Sequence, residues 1–310
     1  MLQAVISDFA QLPGVEVRAI RDRGLDPFSV SGVHEETAEP TSFPETAKRV
    51  LTECDAAFVI APESDGILAE HCRLVEETNA RWLGCSLAAI ELCADKLRLA
   101  EVLKQAGVAT VTTSTPAEPT AWPVVLKPRF GAGCEDTHLV DNKTGHDRVV
   151  AANQAVEFVQ QPYLETASFS VAAIALSEGP IGFPLVRQRI DVHQGTLSYT
   201  GGCLNNPDGL KVSDDAIVRI LRAAGIDKGW VGIDFLCAPD CEPVVVDINP
   251  RLTTSYVAYR EATEANLAAI LLARNVDRPA WNPGRYEFDK SGRVSRQHVP
   301  SRDPDRLHRP

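Results

Sequence analysis

The sequence predicts an α/β protein built of α+β lobes, with a doubly wound lobe at its N-terminus. Three observations predict it. Strand-like and helix-like runs alternate over residues 1–95; strand-like runs dominate from Val124 onward; and two strand-like runs between Gly229 and Arg251, joined by a short turn at Pro239 and Asp240, each carry a carboxylate. A chain of 310 residues is long enough for two or three lobes around sizeable cores. A hydrophobic share of 44% with 24% charged residues is that of a soluble globular chain.

In chain order, Leu2, Val5, Ile6, Phe9 and Leu12 have helical spacing, and Pro13-Gly14 ends that run before a strand over Val15–Ile20. Doubly wound lobes normally start strand, loop, helix, so this lobe is expected to lack its first strand. His34 to Pro44, rich in Glu, Thr and Pro, reads as a surface loop. A buried strand over Ala56–Ala61 ends at Pro62-Glu63, and ligands of such sheets lie beyond the carboxyl ends of strands. Glu63 and Asp65 therefore either face a substrate, or the Ser64-Asp65 pair caps the helix expected over Gly66–Thr78. Trp82-Leu-Gly84 starts another short strand, and the lobe is expected to end near Asp95.

Asp95-Lys96 opens a helix that Gly107 stops. The run Val124-Val-Leu-Lys127 then leads into Gly131-Ala132-Gly133. Glycines let backbone N–H groups approach phosphate oxygens, and a lysine adds a point charge. The stretch is neither a Walker A loop nor a dinucleotide fingerprint, and taken alone Gly-Ala-Gly is equally a hairpin turn. An extended segment from Val159 passes through Gln160, Gln161, Tyr163, Leu164, Glu165 and Ser168 into a further strand. In Phe183–His193, Arg187 and Arg189 share one strand face, which suits phosphate or carboxylate contact; simple alternation of charge on an exposed strand is the other reading of Arg189. His193 reads as structural. Asp247 and Asn249 are two apart on a strand and point the same way, and a hairpin brings Asp234 beside them. Oxygen-only ligands of that kind suit Mg²⁺, which keeps positions for substrate phosphates.

A lysine, a second lysine with a glycine loop, a hinge strand and then Asp…Asp-x-Asn, in that order, resembles the ATP-grasp superfamily of carboxylate–amine ligases from about Asp55 to about Ala273. The resemblance implies an ATP-grasp fold behind a pre-ATP-grasp lobe. It implies that Lys96 and Lys127 hold phosphates under the loop Gly131–Gly133, and that Gln160, Gln161, Tyr163 and Leu164 hold adenine. Asp234, Asp247 and Asn249 would bind Mg²⁺, or Mn²⁺ in its place, and Arg251, with Arg187, would meet the transferred phosphate. Two positions depart from the family pattern: Ser168 stands where a ribose-binding glutamate is usual, and Asp247 is one methylene shorter than the usual glutamate. Ribose recognition would then pass to Glu165 or another group. Within the superfamily, Ala61-Pro-Glu63, Asp95-Lys96 and Asn249-Pro-Arg251 look like the tyramine–L-glutamate ligase group, which is associated with methanofuran- or methylofuran-type cofactor synthesis.

The remaining bounds restrict partners. The net charge of −11 argues against a nucleic-acid partner. No apolar run approaches the roughly 18 residues of a membrane span, and the start has no basic region of a signal peptide. The eight cysteines are scattered, and Cys237 with Cys241 lacks a second pair for zinc, so a reducing cytoplasm is expected. Residues 279–310 are expected to be a disordered tail, since Arg285–Pro310 holds seven Lys or Arg against four Asp or Glu with little apolar content. The expected division is a pre-ATP-grasp lobe over 1–95, a lid lobe over 96–165 and a metal-bearing lobe over 166–278. The expected activity is ATP-dependent joining of a small carboxylate to an amine, with a homodimer in keeping with the superfamily. An ATP-binding protein without catalysis and another ATP-grasp chemistry such as bicarbonate activation stay open beside it.

Overall fold

The computed structural model describes residues 1–297 except 118, 120, 206–211, 238–241 and 275, so the turn at Pro239 and Asp240, Cys241 and the last part of the expected tail lie outside the described residues. The chain opens on a helix, α1 (Leu2–Ala10), followed by strand β1 (Val17–Asp22), as the apolar spacing predicts. The expected loop after it is half strand instead: β2 (Val33–Ala38) runs parallel to β1 with Val17 opposite Val33. Only Ala38 of β2 is buried, so the strand is nearly all polar and carries no alternating signal. Then come α2 (Phe43–Leu51), β3 (Ala56–Ala57), a 3-10 turn at Ser64–Gly66, α3 (Ile67–Glu76), β4 (Arg81–Trp82) and α4 (Leu87–Ala94). The apolar run at Ala56–Ala61 pairs with β4 for only two residues before leaving the ladder.

Helix α5 (Lys96–Gln105) starts where Asp95 caps it, the carboxylate accepting from the N–H groups of Leu97 and Arg98 at 3.1 and 3.2 Å. Gly107, at φ +70°, ends it. Among the described residues eleven strands then join one sheet. They are β5 (Val124–Pro128), β6 (His138–Val140), β7 (Phe158–Pro162), β8 (Ala167–Ala175), β9 (Ile181–Gly182), β10 (Val186–His193), β11 (Thr196–Leu204), β12 (Gly229–Cys237), β13 (Val244–Asn249), β14 (Arg285–Asp289) and β15 (Val294–Gln297). The main ladder runs antiparallel in the order β13-β12-β8-β10-β11-β6-β5-β7, with α6 (Lys143–Ala152) following β6 and α7 (Asp214–Ala223) following β11. Helices α8 (Tyr256–Glu261) and α9 (Leu267–Leu271) follow β13.

This sheet curls until its end strands approach each other, and residues 109–114 stitch them. Val245 of β13 donates to Ala109 O at 2.9 Å and accepts from Val111 N at 3.0 Å, while Ser114 exchanges both backbone bonds with Gln160 of β7. The concave side of the curl holds the site described below.

Strands β8 and β12 are buried on both faces, which is why they read as continuous apolar runs. Val171, Ala173, Val231 and Ile233 pack with residues of α3, α4, α5 and α7 on one side. On the other, Ala172, Ile174 and Trp230 meet an aromatic group of Phe183, Tyr256 and Tyr259 with Trp281 against it. Helix α1 is tied to this second core by Asp8, whose carboxylate accepts from the Tyr256 hydroxyl and from Arg260 Nη2 at 2.8 Å.

The expected disordered tail is partly wrong. Strands β14 and β15 extend the sheet from β11, and Tyr286 and Phe288 enter the aromatic core at 1% exposure each. Their period-2 spacing in Arg-Tyr-Glu-Phe-Asp was the available signal; overall composition hid it. Of the expected structural cysteines, Cys72, Cys85 and Cys93 are buried free thiols. Among the described residues no helix is long and apolar enough to cross a membrane.

Candidate active site

Asp234 on β12 stands directly opposite Asp247 on β13, and Gly232 opposite Asn249. The hairpin pairing therefore brings the three oxygen-bearing side chains onto one face, as the two-residue period requires. Asn249 Nδ2 donates to Asp234 Oδ2 at 2.9 Å, and Gln188 Nε2 donates to the other oxygen, Oδ1, also at 2.9 Å. Burial pushes the Asp234 carboxyl up to about 6, with the Asp247 charge acting the same way against hydrogen bonds from Asn249 and Ser170. Gln188 and Ser170 went unnoticed in the sequence, because nothing local to β8 or β10 marks which residues cross to a carboxylate on β12.

Two buried ammonium groups face this pair. Lys96, the first residue of α5, sets its Nζ 3.4 Å from Asp247 Oδ2 and donates to the carbonyl of Gly131, tethering the glycine loop. Lys127 on β5 reaches toward the carbonyl of Val246 at 3.5 Å, across the curl. Burial lowers its pKa and the Lys96 charge adds to that, while Asp247 pulls it back up. Each lysine is less than a tenth exposed, which makes both costly to bury without an anion to meet.

These groups line one cavity of about 420 Å³, within the range of small-molecule sites. The cavity is also lined by Gly131, Ala132 and Gly133, by Gln161, Tyr163, Leu164 and Ser168, and by Arg187 and Arg251. The loop turns left-handed at Gly133 and again at Cys134, whose thiol burial pushes up to about 11 and so keeps protonated. Ser168 Oγ donates to Gln188 Oε1 at 2.5 Å, joining the position of the missing glutamate to the carboxylate network.

Gln160 is the exception among the expected site residues. Successive residues of β7 point to opposite faces, and Gln161 takes the cavity side. Gln160 instead turns to His146 Nε2 at 3.0 Å, with its backbone N–H and carbonyl both engaged by Ser114. Arg189 also points elsewhere, to Glu287 at 3.3 Å and the carbonyl of Phe288 at 2.7 Å, so its role is structural. Asp65 is exposed at φ +56° and caps no helix, whereas Glu63 is buried against Arg251, its Oε2 accepting from Nε at 2.8 Å.

The donor chemistry fits a hard divalent cation: two carboxylates and an amide oxygen, on a like-charge pair that such an ion would neutralise. Among the described residues no three His, Cys, Asp or Glu side chains form a closed metal cage, so an ion here would complete its shell with substrate oxygens and water. The arrangement thus offers the donor set and negative charge that a hard divalent cation requires.

Residues 93–255 match the ATP-grasp domain family and residues 20–90 the pre-ATP-grasp 3 domain family. Over 222 residues the chain is 30% identical to the tyramine–L-glutamate ligase of Methanocaldococcus fervens, covering 70% of this chain and 65% of that protein. With the tyramine–L-glutamate ligase of Methanocaldococcus jannaschii it shares 28% over 221 residues, 70% of this chain and 62% of that protein. The matched stretch thus spans a little under two thirds of the length of these relatives. The crystal structure of an L-amino acid ligase from Bacillus licheniformis superposes with a TM-score of 0.72 at 16% identity, over 92% of this chain and 76% of that one. With a pre-ATP-grasp domain ahead of a curled sheet that gathers the lysines and the carboxylate pair, the chain belongs to the ATP-grasp domain family.

Proposed function

We propose that the chain is an ATP- and Mg²⁺-dependent carboxylate–amine ligase that forms an amide through an acyl phosphate, acting on L-glutamate and tyramine or a related arylalkylamine. The observation that carries this reading is the convergence of Asp234 and Asp247 with Lys96 and Lys127 in one cavity. Two facing carboxylates beside two buried ammonium groups form a charge set suited to a metal-bound polyphosphate. The ATP-grasp family uses ATP and Mg²⁺. When bound, Mg²⁺ or Mn²⁺ would supply neutralisation of phosphate charge, held by Asp234, Asp247 and Asn249.

In this reading Lys96 and Lys127 fix the phosphates, and the loop Gly131–Gly133 covers them and excludes water. Gln161, Tyr163 and Leu164 form the wall for the base, and Ser168 with Gln188 lies beside the ribose. Arg251 and Arg187 hold the phosphoryl group while the substrate carboxylate attacks the γ-phosphorus and ADP leaves. The amine then attacks the acyl carbon, phosphate departs and the ammonium proton is lost to solvent. Because phosphoryl transfer needs alignment and charge neutralisation, no nucleophilic side chain is required.

The substrate pair is supported by the 30% identity to a tyramine–L-glutamate ligase. To this reading we add, from the family resemblance alone, a place in methanofuran-type cofactor synthesis in the cytoplasm and a homodimer. We divide the chain into a pre-ATP-grasp lobe over 1–95, a lid lobe over 96–165 and a carboxylate-bearing lobe from 166, which β14 and β15 carry past 278. The test is a coupled ADP assay with mass detection of product, pairing glutamate, aspartate and other acids with several amines. ADP release that needs the acid, and amide that needs both, is expected. Tight ATP binding with no product from any pair would replace the ligase by a nucleotide-binding protein.

A further inference from the structure

Arg251 is held by a residue from the other end of the chain. Its Nε donates to Glu63 Oε2 at 2.8 Å, its Nη1 to the carbonyl of Leu252 at 3.3 Å and its Nη2 to Asn249 Oδ1 at 3.3 Å. A guanidinium has five N–H donors, so two remain for a ligand in the cavity that Arg251 lines. Glu63 lies immediately before the 3-10 turn at Ser64–Gly66 in the pre-ATP-grasp domain, is only 6% exposed, and its Oε1 is buried with no hydrogen-bond partner among the described residues. A buried carboxylate with one bare oxygen is a poor structural tether, because a half-satisfied ion pair gains little over an apolar contact. The contact is better explained by what it does to Arg251. Through Asn249, the same network continues to Asp234.

We propose that Glu63 is the positioning residue that aims Arg251 at the γ-phosphoryl group, so that the pre-ATP-grasp domain sets the geometry of the transferring phosphate. This rests on the reading of Arg251 in the preceding section. Fixing Nε toward Glu63 leaves the guanidinium one in-plane orientation, and the hydrogens on Nη1 and Nη2 that the protein does not use then face a fixed direction. The Glu63 charge also keeps Arg251 from swinging onto Asp234 or Asp247, which would cancel the charge that a metal needs. A movement of the first domain would therefore be felt at the phosphate before any substrate contact is made.

The experiment is calorimetric titration of the full chain with Mg²⁺ and either ADP or the non-hydrolysable analogue AMP-PNP, for wild type, Glu63→Gln, Glu63→Asp and Arg251→Lys, alongside thermal melts. The wild type is expected to prefer AMP-PNP. Glu63→Gln, nearly isosteric, should cut that preference about tenfold while ADP affinity stays within about twofold. Glu63→Asp, which keeps the charge, should recover part of it, and Glu63→Gln should add nothing in the Arg251→Lys background. An unchanged preference in Glu63→Gln, or equal loss of both affinities together with a lower melting temperature, would overturn the proposal and leave Glu63 a tether. A wild type that binds AMP-PNP and ADP equally, or neither, would remove the reading of Arg251 on which the proposal stands. Should Glu63→Gln not fold, the Nε–H resonance of Arg251 in ¹⁵N-arginine-labelled wild type decides: a shift with AMP-PNP well beyond that with ADP is expected, and equal shifts would overturn the proposal.

Discussion

Asp247 faces Asp234 across the β12–β13 ladder, with Lys96 Nζ 3.4 Å from Asp247 Oδ2, and burial beside this second carboxylate pushes the Asp234 carboxyl up to about 6. Like charges opposed on a ladder are destabilising, so the pair represents stability given up for chemistry. Asp247→Asn should therefore lower ATP turnover by orders of magnitude while changing the stability of the ligand-free protein by no more than about 1 kcal/mol, because relief of the opposed carboxylates offsets loss of the Lys96 ion pair. ADP release and thermal unfolding of the same preparation check the two halves. Near-normal turnover would remove the pair from the reaction.

Lys127 is buried and its charged form is disfavoured until an anion arrives. Lys127→Met keeps the length and removes the charge, so it should weaken ATP binding by about 1.5–3 kcal/mol with little loss of folding stability. Calorimetry with and without Mg²⁺ measures it, and unchanged affinity would take Lys127 out of the phosphate site.

Gly229 starts β12 at φ +90°, and a Cβ there would lie 2.5 Å from the Gly84 carbonyl carbon and 2.6 Å from Cys85 N. Gly229→Ala combines a left-handed strain of about 1–3 kcal/mol with a backbone collision between the two domains. Gly107 has φ +70° but open space around it, so Gly107→Ala should cost only about 1 kcal/mol. Urea unfolding of both variants gives the contrast; similar losses would mean the domains can part freely at Gly84.

Asp95 titrates below its ordinary range. Burial pushes it up, but hydrogen bonds from Arg129, with Nε at 2.7 Å, and from the N–H groups of Arg98 and Leu97 outweigh that. A depressed carboxylate contributes stability above its unfolded pKa and loses it as pH falls through the folded value. Asp95→Ala should thus be less stable than wild type by about 1–2 kcal/mol at neutral pH, with the gap closing below about pH 4. Denaturant midpoints across that range test it, and a gap that persists at pH 2 would point to packing rather than charge.

How much was legible in the sequence follows from how locally each feature is determined. The Asp95 cap, the α5 stop at Gly107 and the shared face of Asp247 and Asn249 need only a few neighbouring residues, and all are as expected. The facing of Asp234 needed one further assumption, a hairpin, and the register supplies it. Gln160 and Gln161 could not be told apart, because which face of β7 lines the cavity is set by the curl of the sheet. Strand β2 is too polar to signal itself, and β14 is recognisable only by two aromatic residues that join a core drawn from residues as far back as Val5. The contact of Glu63 with Arg251 spans 188 positions, and no periodicity reaches that far.

The central claim is that amide formation passes through an acyl phosphate held over Asp234 and Asp247. The most direct measurement uses glutamate labelled with ¹⁸O in its carboxylates, with Mg²⁺, ATP and tyramine, followed by mass analysis of the released phosphate. An acyl phosphate moves one carboxylate oxygen onto phosphorus, so inorganic phosphate should carry one ¹⁸O for each amide formed, and Asp247→Asn should yield neither product. Amide formed with unlabelled phosphate, or with the label in AMP, would contradict it.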